Sequence, residues 1–163
     1  MRPPPTVPMG SKSRKVEAMA DKIKIGIIGV GQIGKHHINN YKNIPGAEII
    51  AVADINEAEA RRVAAENNIP RAFADFHDLL KVDEIQAVDV CLHNNLHAPV
   101  TIAALNAGKH VYCEKPMAMR VADCKAMIDA ADKAGIKLMV GQVLRLIPAF
   151  WKTHQIVSSG KLG

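Results

Sequence analysis

An apolar, β-branched run over residues 23–30 passes straight into Gly29-Val30-Gly31-Gln32-Ile33-Gly34, and an acid, Asp54, ends the next apolar run 20 positions past Gly34. Few folds satisfy all three features. A GxGxxG pattern alone is weak; following a strand, opening a helix and answered by a carboxylate on the second strand, it is the fingerprint of a dinucleotide-binding turn. Gly29 allows the tight turn, Gly31 lets backbone approach a pyrophosphate, and Gly34 lets the helix pack close to the strand. Gln32 and Ile33 complete the turn, and the helix N-terminus that it opens offers free N–H groups and a positive dipole end that suit phosphate. The competing pattern, GxxxxGK from Gly29 to Lys35, is followed by His36 where a triphosphate-binding loop needs Ser or Thr for magnesium, and it leaves Asp54 unexplained.

The rest of the chain repeats the alternation. Apolar runs at 47–54, 71–74, 87–92, 110–113 and 137–141 are separated by amphipathic stretches at 34–41, 56–67, 75–80, 99–107 and 121–134. Asn56 and Asp75 stand where N-caps belong, and Gly108 and Gly135 where helices stop. Six strands joined through helices predict an α/β fold: a Rossmann-type, doubly wound parallel sheet of about six strands. Residues 1–20 are rich in Pro, Ser and basic groups, with nothing to bury, and read as a disordered extension; Met19 is a plausible native start. Residues 21–147 read as the NAD(P)-binding domain and 148–163 as a helix or linker leading onward.

Charge and composition exclude other classes. Of the net charge of +5, the first twenty residues carry +3, so the remaining chain is close to balanced. With aromatics at only 4%, neither a basic face nor a base-stacking platform for nucleic acid is indicated. All four serines lie at positions 11, 13, 158 and 159, which removes a serine hydrolase. The three cysteines have no CxxC spacing, so neither a disulfide framework nor a zinc ribbon is expected, and a reducing cytoplasm is the simplest location. No stretch could span a membrane or serve as a secretory signal. His93 and His97, four apart, have no acid between them, and no metal site is expected. Arg61 and Arg62 are expected to pair with Glu57 or Glu59 on a solvated helix face. Cys113 reads as a small residue ending a buried strand.

Asp54 also bears on cofactor choice. A carboxylate there accepts from the ribose hydroxyls and repels a 2′-phosphate, and Ile55 and Asn56 are not basic, so NAD is favoured over NADP.

Two polar clusters fall at the carboxyl ends of strands: Leu92-His93-Asn94-Asn95-Leu96-His97, and Glu114-Lys115-Pro116 within the GKHVYCEKP stretch at 108–116. With Gly141, Arg145 and Pro148 in G-x-x-x-R-x-x-P spacing, these three ordered motifs resemble the Gfo/Idh/MocA oxidoreductases over residues 22–163. His93 departs from the family's usual Pro. The resemblance implies hydride transfer between a nicotinamide cofactor and a sugar, polyol or related alcohol. It also implies that Lys115 reaches both nicotinamide ribose and substrate, that Asn94, His97 and Glu114 lie on the cofactor side, and that the Lys115–Pro116 bond is cis. Family members carry a second domain with a D-x-x-x-H segment supplying the acid/base. None stands in that position here, so the chain is expected to be the cofactor-binding domain with the second domain absent. The alternative is a non-catalytic dinucleotide-binding module. Phe150, Trp151, Ile156 and Val157, left uncovered, would favour a homo-oligomer.

Overall fold

The computed structural model describes residues 22–160; the expected N-terminal extension lies outside the described residues. Six strands, β1 (Ile23–Ile28), β2 (Ala47–Ala53), β3 (Arg71–Phe73), β4 (Ala87–Val90), β5 (His110–Cys113) and β6 (Leu138–Val140), form one sheet in the order β3-β2-β1-β4-β5-β6. Every pairing is parallel. The helices are α1 (Gln32–Tyr41), α2 (Glu57–Glu66), α3 (Phe76–Leu80), α4 (His97–Asn106), α5 (Val121–Ala134) and α6 (Pro148–Ser158). The expected doubly wound α/β sheet of six strands is therefore present.

Two apolar clusters cover the two faces. Ile25, Ile27, Val30 and Val52 pack with Ile38 of α1 and Ala60, Val63 and Ala64 of α2. Ile28, Val88, Val90, Val111 and Cys113 pack on the other face with residues of α3, α4 and α5. Since strand side chains alternate between faces, Asp89 and its register partner Tyr112 are turned toward α1.

The expected caps are present: Asn56 accepts from the Glu59 amide, Asp75 from the His77 amide, and Gly135 closes α5 in the left-handed region. Boundaries shift where a turn takes residues from an element. β1 ends at Ile28 because Gly29, with φ +96°, already turns, and α1 begins at Gln32 rather than residue 34. α4 starts two residues earlier than expected, at His97, after the 3-10 turn Asn94–Leu96. A second 3-10 turn, Val143–Leu146, precedes α6. Among the described residues, no helix is long and apolar enough to cross a membrane.

Candidate functional site at the strand carboxyl ends

The strand order reverses between β1 and β4, and the loops leaving these neighbours diverge to opposite faces of the sheet. That opens a crevice at their carboxyl ends. The glycine turn forms one wall. A Cβ on Gly34 would lie 2.0 Å from the Gly29 carbonyl oxygen, so the absence of a side chain is what lets α1 sit against the turn. At Gly31 the opposite holds: nothing lies within 4 Å of the Cβ position, and the backbone there faces open space. The N-terminus of α1 has no side-chain cap and no acid in its first turn, unlike α2 and α3. Its first N–H groups have no partner within the helix itself. Gln32 and Ile33 are exposed there.

Asp54 leaves the end of β2 and bonds back to the turn. Its Oδ2 accepts from the Val30 N–H at 2.9 Å and its Oδ1 from the Asn56 N–H at 2.9 Å. Ile55, beside it, is 96% exposed. On α2, Arg61 pairs with Glu57, and Arg62 with Glu59 and Glu66. Lys35 of α1 joins this array at Glu59, 2.5 Å away. Hydrogen bonds from Arg62 and then Lys35 hold the Glu59 carboxyl down at about 2.

The far wall is built after β4 and β5. Asn94 is exposed in its 3-10 turn. His97 is 1% exposed, and its ring lies between two backbone oxygens: Nδ1 is 2.6 Å from the Pro116 carbonyl and Nε2 3.0 Å from the Leu92 carbonyl. The structure thus places His97 as a clamp between the two loops rather than as a side chain open to the crevice. The Lys115–Pro116 peptide is cis. Lys115 itself is exposed and forms no ion pair among the described residues. Glu114 makes no salt bridge with it; its Oε2 accepts from the Lys115 backbone N–H at 3.0 Å. Cys113 is fully buried, as a strand-ending apolar residue should be, and burial pushes its thiol up to about 11.

Behind these walls lies a polar cluster that sequence reasoning did not single out. Asp89, 1% exposed in the middle of β4, is 2.8 Å from His37 Nδ1 and accepts from the Cys91 thiol at 3.3 Å. The hydrogen bond to Asp89 raises His37 above the usual imidazole value, against the opposing effect of burial. Burial, then Asp89, raises Cys91 well beyond an ordinary thiol. The available signal was the acid within the apolar AVDVCL run, because a charge on a central strand needs a partner from the helix above it.

The arrangement matches known proteins over most of its length. Residues 23–142 match the family model described as oxidoreductase family, NAD-binding Rossmann fold. The chain belongs to the Gfo/Idh/MocA oxidoreductase family. Inositol 2-dehydrogenase of Salmonella typhimurium is 35% identical over 144 residues, covering 86% of this chain and 43% of that protein. Myo-inositol 2-dehydrogenase of Thermotoga maritima is 36% identical over 141 residues, covering 86% of the chain and 42% of the relative. Scyllo-inositol dehydrogenase of Lactobacillus casei, solved with bound NAD(H) and scyllo-inositol, superposes with a TM-score of 0.79 at 30% identity, covering 88% of this chain and 43% of that one. The chain therefore spans less than half the length of these Gfo/Idh/MocA relatives, and the span it shares with the family model is the NAD-binding Rossmann domain.

Proposed function

We propose that this chain holds NAD across the β1/β4 crevice and supplies the cofactor half of a Gfo/Idh/MocA dehydrogenase acting on a sugar, polyol or related alcohol. The observation that carries this reading is the glycine turn: an uncapped helix N-terminus with no acid in its first turn, and open space over Gly31. This donor set fits a pyrophosphate, which needs N–H donors, positive potential and room for close approach. In this reading the amides at Gly31, Gln32, Ile33 and Gly34 face the phosphates, and Asp54 meets the adenosine ribose. Ile55 offers an apolar surface to the adenine. Asn94 and Lys115 line the nicotinamide side, with Glu114 and His97 holding that wall in shape.

Bound NAD supplies the hydride acceptor. The chain's own residues bind and orient. A Lys115 ammonium has three donors and no acceptor, so it can hold a substrate hydroxyl or a ribose oxygen but cannot receive the alcohol's proton. That proton needs another group, and the family's second domain, beyond the α6 segment at 148–163, is where we place it. Residues 21–147 are then the cofactor domain.

A calorimetric titration of the 163-residue chain with NADH tests this. Saturation at one equivalent supports the reading, and no binding at millimolar cofactor overturns it. With NAD and myo-inositol, the chain alone should form NADH slower than a complete dehydrogenase by about 10²–10⁴ for the missing acid/base alone. Ready turnover would place the acid/base within these residues.

A further inference from the structure

We propose that His37 is a positioning residue for the lysine loop: an imidazolium anchored on buried Asp89 grips the Glu114 carboxylate, which in turn fixes the backbone of Lys115. The proposal rests on the reading of Lys115 as a site residue. It adds to the dinucleotide fingerprint a histidine that the fingerprint itself does not require.

The geometry forms one line from the sheet interior to the crevice wall. Asp89 Oδ2 is 2.8 Å from His37 Nδ1, and His37 Nε2 is 3.4 Å from Glu114 Oε1. Glu114 Oε2 accepts from the Lys115 N–H at 3.0 Å. The His37 and Glu114 side chains are each only 14% exposed and that of Asp89 1%. Room for Glu114 depends on Gly141, where a Cβ would lie 3.1 Å from Glu114 Oε1 and 2.6 Å from the Tyr112 hydroxyl. Thus a glycine of the third sequence motif, a carboxylate of the second and a histidine on the helix that follows the glycine turn meet at one point.

The chemistry requires the proton. A neutral imidazole has one N–H; donated to Asp89 from Nδ1, it would leave a lone pair on Nε2 facing a carboxylate. The imidazolium donates from Nδ1 to Asp89 and turns Nε2 toward Glu114 at 3.4 Å, so that one positive charge stands between two negative ones. The ionisable groups facing His37 are Asp89 and Cys91 from β4 and its end, Tyr112 and Glu114 from β5 and its end, and His36 and Tyr41 from its own helix. The tyrosines and the thiol are all raised, chiefly by burial, and stay neutral, so the two carboxylates decide the proton on His37. The Nδ1, Oδ and Sγ atoms of His37, Asp89 and Cys91 also lie within 4.8 Å of one another, as metal ligands would. The Cys91 thiol, however, donates to Asp89, which is a hydrogen-bonded arrangement and not a thiolate ligand.

The test is a pH titration of the full ¹⁵N-labelled chain, following the His37 ring and the Lys115 amide together by NMR. The Lys115 amide should move with the same midpoint as the His37 ring. That movement should vanish in His37→Gln and in Glu114→Gln, and the His37 midpoint should fall in Glu114→Gln. A Lys115 amide that does not follow His37, or follows it unchanged in Glu114→Gln, overturns the proposal. If His37→Gln does not fold, the Glu114→Gln titration decides alone. NADH binding, measured alongside, should weaken severalfold in Glu114→Gln; equal binding in the variant and the parent overturns the link to the site. If the parent chain binds no NADH while the coupled titration is present, the cofactor reading fails and the positioning line stands.

Discussion

The Val30 amide donates to Asp54 Oδ2 at 2.9 Å, so the carboxylate that ends β2 is tied directly to the middle of the glycine turn that ends β1. The Asn56 amide holds the other oxygen at 2.9 Å. The glycine turn is thus braced by a carboxylate pinned on both oxygens. Each oxygen keeps further acceptor capacity for a ribose hydroxyl.

Two glycines of the turn, Gly31 and Gly34, should separate cleanly by substitution. Gly34→Ala places a methyl 2.0 Å from the Gly29 carbonyl, which only a backbone shift can relieve. It should cost several kcal/mol, on the scale of overpacking and strain. Gly31→Ala meets nothing within 4 Å and should leave stability within about 1 kcal/mol while weakening NADH binding. Urea denaturation and an NADH titration on both variants check this. A Gly31→Ala chain with unchanged affinity would remove Gly31 from the phosphate site.

His97→Ala should destabilise the domain by about 2–4 kcal/mol, since it deletes a fully buried ring and leaves whichever of the Pro116 and Leu92 carbonyls accepts the ring N–H without that donor. The exposed neighbour His93→Ala should change stability by less than about 0.5 kcal/mol. Equal midpoints for the two variants in urea would contradict the clamp.

The cysteines predict a count. Cys91 and Cys113 are buried with raised thiols, whereas Cys124 on α5 is half-buried. Since the thiolate is the reactive form, a thiol-exchange reagent at neutral pH should titrate one cysteine quickly in the folded chain and three after denaturation. Rapid reaction of two or more in the native state would place Cys91 or Cys113 in contact with solvent.

His37 gives stability a pH dependence of known sign. Its folded value is raised, so its contribution is complete below the ordinary imidazole value of 6.5 and is lost as pH rises through the folded value. The parent chain should therefore lose more stability between pH 6 and 9 than His37→Gln, by urea midpoints across that range. A parallel decline in both would show that His37 stays neutral.

Much of this was legible in the sequence, and the residues explain why. The parallel six-stranded sheet followed from the alternation of strands and helices, and α5 and β5 fall where Gly135 and the HVYC run place them. The glycine turn could be read because a tight strand-to-helix turn needs residues without a Cβ where Gly29 and Gly34 stand. Less accessible were features made by approach in three dimensions. The clamping of His97 between two backbone carbonyls depends on the direction that the preceding 3-10 turn gives it, which spacing does not encode. The turn of Glu114 to His37 is set by β5 and α1 meeting on the same face, which no linear spacing encodes. Asp89 went unmarked within an apolar run, although a buried acid implies a partner.

Central to the proposed function is that the glycine turn and Asp54 together form a site for NAD rather than NADP. Calorimetric titration of the 163-residue chain with each cofactor tests it most directly. NAD should bind at least about tenfold more tightly, a difference of about 1.4 kcal/mol, and Asp54→Asn should narrow that gap by removing the charge that repels a 2′-phosphate. NADP binding as tight as NAD, or an unchanged preference in Asp54→Asn, would contradict it.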